Sequence, residues 1–209
     1  MRTVDPALHE RRREQIFVAA QRVFIARGFH QTSMAELAEA AGVSMGLLYR
    51  YFSNKDDIVT QFALRERDQI LARVDAFTRA PNWVDSLNEL IEGSIDDAFD
   101  PELTRLNFEI VAEASRNPRL LATFSANDEL VRRALADAVH SHQARGTMSR
   151  AIPASMVAEV VSALFDGLWG RALVNPAVPK TALRKAIKTF LVAALSPVRV
   201  GLTAPARNR

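Results

Sequence analysis

A chain of 209 residues that is 48% hydrophobic and 24% charged can bury a sizeable core, which excludes disorder along its whole length. It has no cysteine, so a disulfide framework, a thiolate nucleophile and sulfur-ligated metal are all excluded. The net charge of +3 is unevenly placed: residues 1–55 carry eight basic and five acidic side chains, residues 56–196 sixteen and nineteen, and residues 197–209 three arginines and no acid. Basic ends around a mildly acidic middle suggest a polyanionic partner. There is no apolar run of about 18 residues, so no membrane partner is expected. The opening Met1-Arg-Thr-Val-Asp-Pro lacks a signal-type apolar stretch, and a cytoplasmic protein is the expectation.

Every long periodic segment reads as helix, and none alternates at period two for long enough to argue a strand. The first helix runs from about Glu10 to Arg27 and stops at Gly28. The second follows Ser33, where Ser33-Met-Ala-Glu36 has capping-box spacing, and ends at Gly42. A very short third reaches from Ser44 to about Tyr51. Asn54 caps a long fourth helix, from about Lys55 to Arg79, which Pro81 breaks. Further helices cover about Trp83–Phe99, Glu102–Arg116, Pro118–Arg145, Ala154–Val174 and Lys180–Leu195. The expected fold is all-α with about nine helices. A three-helix N-terminal unit (1–54) is joined by a long helix to a helical body (55–196), and a basic tail (197–209) is expected to be disordered.

Residues 33–51 have the makings of a helix-turn-helix. Gly42 suits the left-handed turn, Val43 plugs it into the core, and Ser44 caps the helix that would enter a major groove. Leu48 and Phe52 are spaced for packing, which leaves Met45, Gly46, Leu47, Tyr49, Arg50 and Tyr51 around the other sides. Gly46 costs about 1 kcal/mol against alanine in a helix, a cost that makes sense where something approaches the backbone closely. Tyrosines can hydrogen-bond phosphates, and Lys55 adds its charge to a helix N-terminus.

The run Ile16-x-x-Ala-Ala-x-x-x-Phe24-x-x-x-Gly28-Phe29, continued by Thr32-Ser33-Met34-x-x-Leu37-Ala38-x-x-Ala41-Gly42-Val43-Ser44-x-Gly46-x-Leu48-Tyr49-x-Tyr51-Phe52-x-x-Lys55, closely resembles the DNA-binding domain of the TetR family of bacterial transcriptional regulators. The resemblance implies three N-terminal helices, a long connecting helix, and a C-terminal body that binds ligand and dimerises. It also implies that Met45, Gly46 and Leu47 face bases, while Ser33, Tyr49, Tyr51 and Lys55 hold phosphates; Ser44 and Arg50 belong to the same surface. Apolar readout by Met45 and Leu47 would leave much of the specificity to DNA shape. The short run Glu109-Ile-Val-Ala-Glu113-Ala-Ser-Arg-Asn-Pro118 is similar to the group that includes the bacterial glucuronide repressor, and transfers no ligand.

In the body, Met156, Val157, Val160, Val161, Leu164, Phe165, Leu168 and Ala172 cover a face wider than the roughly 100° stripe that one core needs. Leu183, Ile187, Phe190, Leu191, Ala194 and Leu195 form a stripe on the last helix. The dimer interface is therefore expected at Val157, Val161, Leu164, Leu183, Ile187, Phe190, Leu191 and Ala194. Phe62, Trp83, Phe108, Phe124, Phe165 and Trp169 are candidates to line an apolar ligand cavity, with Arg65, Glu113 and Asp166 as polar contacts. Glu109, another polar candidate, lies four residues after Arg105, and Glu113 three before Arg116, so surface ion pairs account for both. His140 and His142 stand two apart, where a helical metal site needs four, and are expected to be solvated. No metal or cofactor is expected, and no nucleophile is placed beside a base for catalysis.

The expected function is that of a homodimeric regulator, a repressor that leaves a palindromic DNA operator when a small molecule binds. A ligand-dependent activator or co-repressed regulator is the alternative, followed by a helical enzyme carrying a DNA-binding-like unit.

Overall fold

The computed structural model describes residues 6–197, so the tail expected to be disordered lies, apart from Pro197, outside the described residues. Among the described residues are nine helices: α1 Pro6–Arg27, α2 Met34–Ala40, α3 Met45–Tyr51, α4 Lys55–Arg79, α5 Trp83–Ala98, α6 Pro101–Ala114, α7 Pro118–Ala144, α8 Ala154–Val174 and α9 Lys180–Leu195. The all-α reading holds. The first helix starts a turn earlier than its apolar period suggests, because Pro6 is pre-organised for a helix N-terminus and the polar turn after it needs no core.

Local chemistry sets the boundaries. The Ser33–Glu36 capping box opens α2, and Asn54, Asn82, Asp100 and Asn117 accept backbone N–H groups at the starts of α4 to α7. Pro101 and Pro118 occupy the first turns of α6 and α7. Gly28 and Gly42 take positive φ, +82° and +63°, where an L side chain would be strained.

Two apolar cores form. The N-terminal one joins Ile16, Ala20 and Phe24 of α1 to Leu37 of α2 and to Leu48 and Phe52, at the end of α3. It is closed by Ile58 and Val59 of α4, Leu106 and Ile110 of α6, and Leu120 of α7. A division at residue 54 therefore cuts through packed side chains: α1 and two seven-residue helices present too little apolar surface to close a core alone. The second core lies among α4, α5, α7, α8 and α9, with Phe77, Trp83, Ile95, Val139, Leu168 and Leu191 inside it.

His142 belongs to that second core, contrary to the solvated role expected for it, whereas His140 is exposed. The imidazole is fully buried, with Nε2 2.9 Å from the Phe77 carbonyl oxygen and the ring tilted against the Phe77 ring with centroids 4.9 Å apart. A carbonyl only accepts, so Nε2 carries the proton and Nδ1 is left as an acceptor facing Arg145 at 3.3 Å. Burial, opposed by the Phe77 hydrogen bond and reinforced by the Arg145 charge, holds the histidine below its usual pKa of 6.5. The folded protein thus keeps His142 neutral at a pH where the unfolded chain takes up a proton. Its stability contribution is complete above about pH 6.5 and is lost as pH falls below that value toward the folded-state pKa. Thermal melts at pH 7.5 and 5.5 should show this loss, and His142→Gln, which keeps a donor for Phe77, should flatten it. His142→Ala should cost about 2–4 kcal/mol at either pH through the cavity and the orphaned carbonyl.

Candidate DNA-binding face and ligand cavity

The turn between α2 and α3 is pinned from behind, since Gln15 of α1 donates from Nε2 to the Ala41 carbonyl at 2.7 Å. Ser44 caps α3 by accepting the Leu47 N–H at 3.2 Å, and Leu48 and Phe52 anchor the helix inward. The outer side is presented by Met45, Gly46, Tyr49 and Arg50, all exposed. A Cβ at Gly46 would meet nothing within 4 Å, so the backbone there is open to close approach. Leu47 is half-buried, as is Tyr51, whose ring lies 4.6 Å from that of His9 on α1. The Ser33 hydroxyl is engaged with Glu36, donating to its carboxylate at 2.9 Å and accepting its N–H at 3.2 Å.

Lys55 has a second task that its sequence position did not reveal. Its ammonium donates to the Phe29 carbonyl at 2.7 Å and sits 4.5 Å from the centre of the Phe29 ring. It therefore ties the start of α4 to the α1–α2 loop. The same loop is gripped from the other side by α6. The Glu109 carboxylate accepts the buried Phe29 N–H at 2.5 Å, and Glu113 pairs with His30 at 3.1 Å. Asn117 and Arg119, at the start of α7, reach Asp56 (2.7 Å) and Asp57 (3.3 Å) in the first turn of α4. The Glu113–Arg116 pair expected from spacing is present at 3.4 Å, but Glu109 is committed to a residue 80 positions away. No local signal marks such a contact.

A cavity of about 690 Å³ opens among α4 to α9. Trp83, Phe108, Phe124, Phe165, Asp166 and Trp169 line it, and the Trp83 indole N–H is fixed on the Thr147 carbonyl at 2.9 Å. Three of the expected lining residues are elsewhere. Phe62 packs in the N-terminal core, its ring 4.3 Å from that of Phe17. Arg65 pairs with Glu14 of α1 and lies 3.6 Å over the Phe17 ring, which holds the Glu14 carboxyl below the usual range. Glu113 faces His30 and Arg116. In each case α4 or α6 has two working faces, and the residue is on the one turned to α1 or to the α1–α2 loop.

The cavity also takes charged residues that sequence reading passed over: Glu66, Arg67 and Arg73 of α4, and Asp128 of α7. Charges at helical spacing read as a solvated face, and only the packing of six helices shows that they look inward. Glu66 and Asp166 are both exposed to solvent on the cavity wall, and desolvation by the protein around them raises both carboxyl pKa values. Asp97 and Asp166 add to the effect on Glu66 and the Arg73 charge opposes it, while Asp128 adds to that on Asp166.

The expected dimer residues divide between two sides. Val157, Ile187 and Leu191 are buried in their own subunit's core, so they are not available to a partner; Val161, Leu164 and Leu183 are half-buried against it. Phe190, 62% exposed, and Ala194 point outward. On α8 the outward apolar residues include Met156, Val160, Ala163, Leu173 and Val174. Among the described residues no helix is long and apolar enough to cross a membrane, and no His, Cys, Asp or Glu cluster could hold a metal.

The grip on the α1–α2 loop can be measured as stability. A Cβ at Gly28 would lie 2.8 Å from the Glu109 carboxylate, in a backbone conformation that side chains avoid. Gly28→Ala should cost at least about 1–2 kcal/mol from conformation alone. Glu109→Ala should cost about 1–3 kcal/mol by orphaning a buried N–H. In chemical denaturation the double variant should lose less than the sum, because removing Glu109 also removes the clash.

Comparison with known proteins agrees with this architecture. The family described as bacterial regulatory proteins, tetR family, matches residues 16–62, and the BetI-type transcriptional repressor C-terminal domain matches residues 83–196. The chain is 28% identical over 156 residues to the HTH-type transcriptional regulator UidR of Escherichia coli K12, covering 75% of this chain and 79% of that one. Among solved structures, Salmonella enterica GusR superposes with a TM-score of 0.74 at 23% identity, over 92% of this chain and 98% of that one. The SmeT–triclosan complex superposes with the same TM-score at 19% identity, over 95% and 98%. Matched in both halves and carrying the helix-turn-helix and cavity in their expected places, the chain belongs to the TetR family of ligand-responsive transcriptional regulators, with a C-terminal domain of the BetI type.

Proposed function

We propose that this regulator is a cytoplasmic homodimeric repressor, nucleoid-associated while bound, that holds a palindromic operator through two α3 helices and releases it when a small molecule fills the cavity. The carrying observation is α6. Asn107 and Phe108 line the cavity, and the next residue, Glu109, holds the Phe29 N–H of the DNA-binding unit. A ligand that shifts α6 thereby moves the anchor of the α1–α2 loop, and a coupling of about 1–3 kcal/mol is enough for a typical allosteric response. The long helix α4, with Lys55 at its head, offers a second route between cavity and loop. A neighbour of this fold carries triclosan, which supports a small-molecule role for the corresponding body. Binding without turnover is inferred, as for the regulators it matches.

In this reading Met45, Gly46 and Leu47 meet base edges, while Ser33, Ser44, Tyr49, Arg50, Tyr51 and Lys55 lie along the phosphates. Arg50 is the freer cation, because Lys55 already spends donors on Phe29 and His30. The outward faces of α8 and α9 meet their counterparts across a two-fold axis, burying Val160 and Phe190.

Two experiments test these assignments. With an operator selected from random duplexes, fluorescence anisotropy over a salt series should show Arg50→Ala weakening specific and non-specific binding together. Two lost phosphate contacts per dimer should reduce the salt slope by about 1.8. Leu47→Ala should leave the slope unchanged and lose about 1–3 kcal/mol of discrimination at one position per half-site. Equal losses on operator and scrambled duplex with unchanged slopes would overturn this docking. Separately, Val160→Glu with Phe190→Glu should give folded monomers by light scattering, since both residues are outside the subunit core. A dimer mass would sink the interface.

A further inference from the structure

The charges on the cavity wall are unbalanced in a specific way. The two arginines are occupied: Arg67 donates to Asp68 at 2.7 Å and to the Asn127 side chain at 3.2 Å, while Arg73 reaches Asp97 at 3.4 Å. Asp128 receives Arg132 at 3.0 Å. Glu66 and Asp166 have neither an ion pair nor a hydrogen bond among the described residues, and they repel one another across the cavity. Around them stand Phe108, Phe124, Phe165 and Trp169, whose ring faces attract cations.

Partly desolvated carboxylates without partners destabilise a fold. Their raised pKa values mean that stability is greatest with the groups protonated and is lost as pH rises through the folded-state values, so at neutral pH both charges work against the unliganded protein. Such a cost is typical of a site whose charges wait for a ligand. An anion would meet the two carboxylates and find both arginines engaged. A neutral ligand would deepen their desolvation without compensation. A cavity of about 690 Å³ is of the size that encloses a whole drug-sized molecule.

We propose that the effector is an organic cation with a bulky apolar or aromatic body, its charge held by Glu66 and Asp166 and its body by the aromatic wall. This rests on the reading of the cavity as the effector site, and it separates the protein from regulators whose ligands are acids.

The test uses three probes of similar shape and different charge on the full-length dimer: tetraphenylphosphonium, tetraphenylborate, and neutral triphenylphosphine oxide. Calorimetry at pH 7.5 should show the phosphonium binding about tenfold or more tightly than either other probe, and raising the melting temperature. Glu66→Gln and Asp166→Asn keep shape and remove charge. Each should weaken phosphonium binding about tenfold, leave the borate unweakened, and raise the melting temperature of the free protein. Lowering the pH from 7.5 should weaken the phosphonium alone, as Glu66 and Asp166, whose carboxyls protonate more readily than free ones, take up protons among Asp97, Asp128, Arg67 and Arg73. Trp169→Ala should weaken every probe that binds. If the borate or the neutral probe binds as well as the phosphonium, and Trp169→Ala weakens it, the cavity is a ligand site but not a cation site. If phosphonium binding is unchanged in both carboxylate variants, the assignment of its charge to them is overturned. If no probe binds, or Trp169→Ala changes nothing, the effector reading of the cavity fails as well.

Discussion

Ile16, Phe24, Leu37 and Leu48 form a core that the first three helices cannot close. Ile58, Leu106, Ile110 and Leu120 close it from the body. The DNA-binding unit is thus not a separate bead on a linker, and its position is set by side chains of α4, α6 and α7. Polar contacts then fix the register of that packing. Glu109 holds the Phe29 N–H, Lys55 holds the Phe29 carbonyl, and Asn117 holds Asp56. One peptide neighbourhood, at Phe29, is bound on its donor side by α6 and on its acceptor side by α4.

That arrangement makes communication between the two ends cheap. Close-packed apolar contacts transmit displacement, and a buried N–H that loses its acceptor is costly. A shift of α6 would therefore be felt at the α1–α2 loop, next to the capping box that starts α2. The helix that reports on the cavity and the helix that holds the loop are the same helix, with Phe108 and Glu109 adjacent in chain and divided in duty.

The cavity shows the opposite economy. Most charged side chains in the body are paired: Arg132 alone meets Asp128, Glu129 and Glu159. Against that background Glu66 and Asp166 stand out as cavity-wall carboxylates with neither an ion pair nor a hydrogen bond among the described residues; Arg73, the cation that acts on Glu66, is already engaged by Asp97. Exposed ion pairs contribute little to stability and tolerate change, whereas unpaired carboxylates on a protein-lined wall oppose folding and gain a purpose only from what enters beside them.

Much of this protein is legible in its sequence. Helix ends follow from Gly28, Gly42, Asn54, Pro101 and Pro118, because caps, left-handed turns and first-turn prolines act within a few residues. The recognition face of α3 follows from Leu48 and Phe52, whose burial sets the orientation of Met45, Tyr49 and Arg50. Tertiary structure alone decided which of two apolar faces meets which neighbour. It turned Phe62 and Arg65 toward α1 and Glu66 toward the cavity, although the three are close on one helix. It divided α9 between Leu191, inside, and Phe190, outside, and it buried His142 against a carbonyl 65 residues away. Periodicity records that a residue is on an apolar or polar stripe. It does not record what the stripe packs against, since that depends on helices brought together from distant parts of the chain.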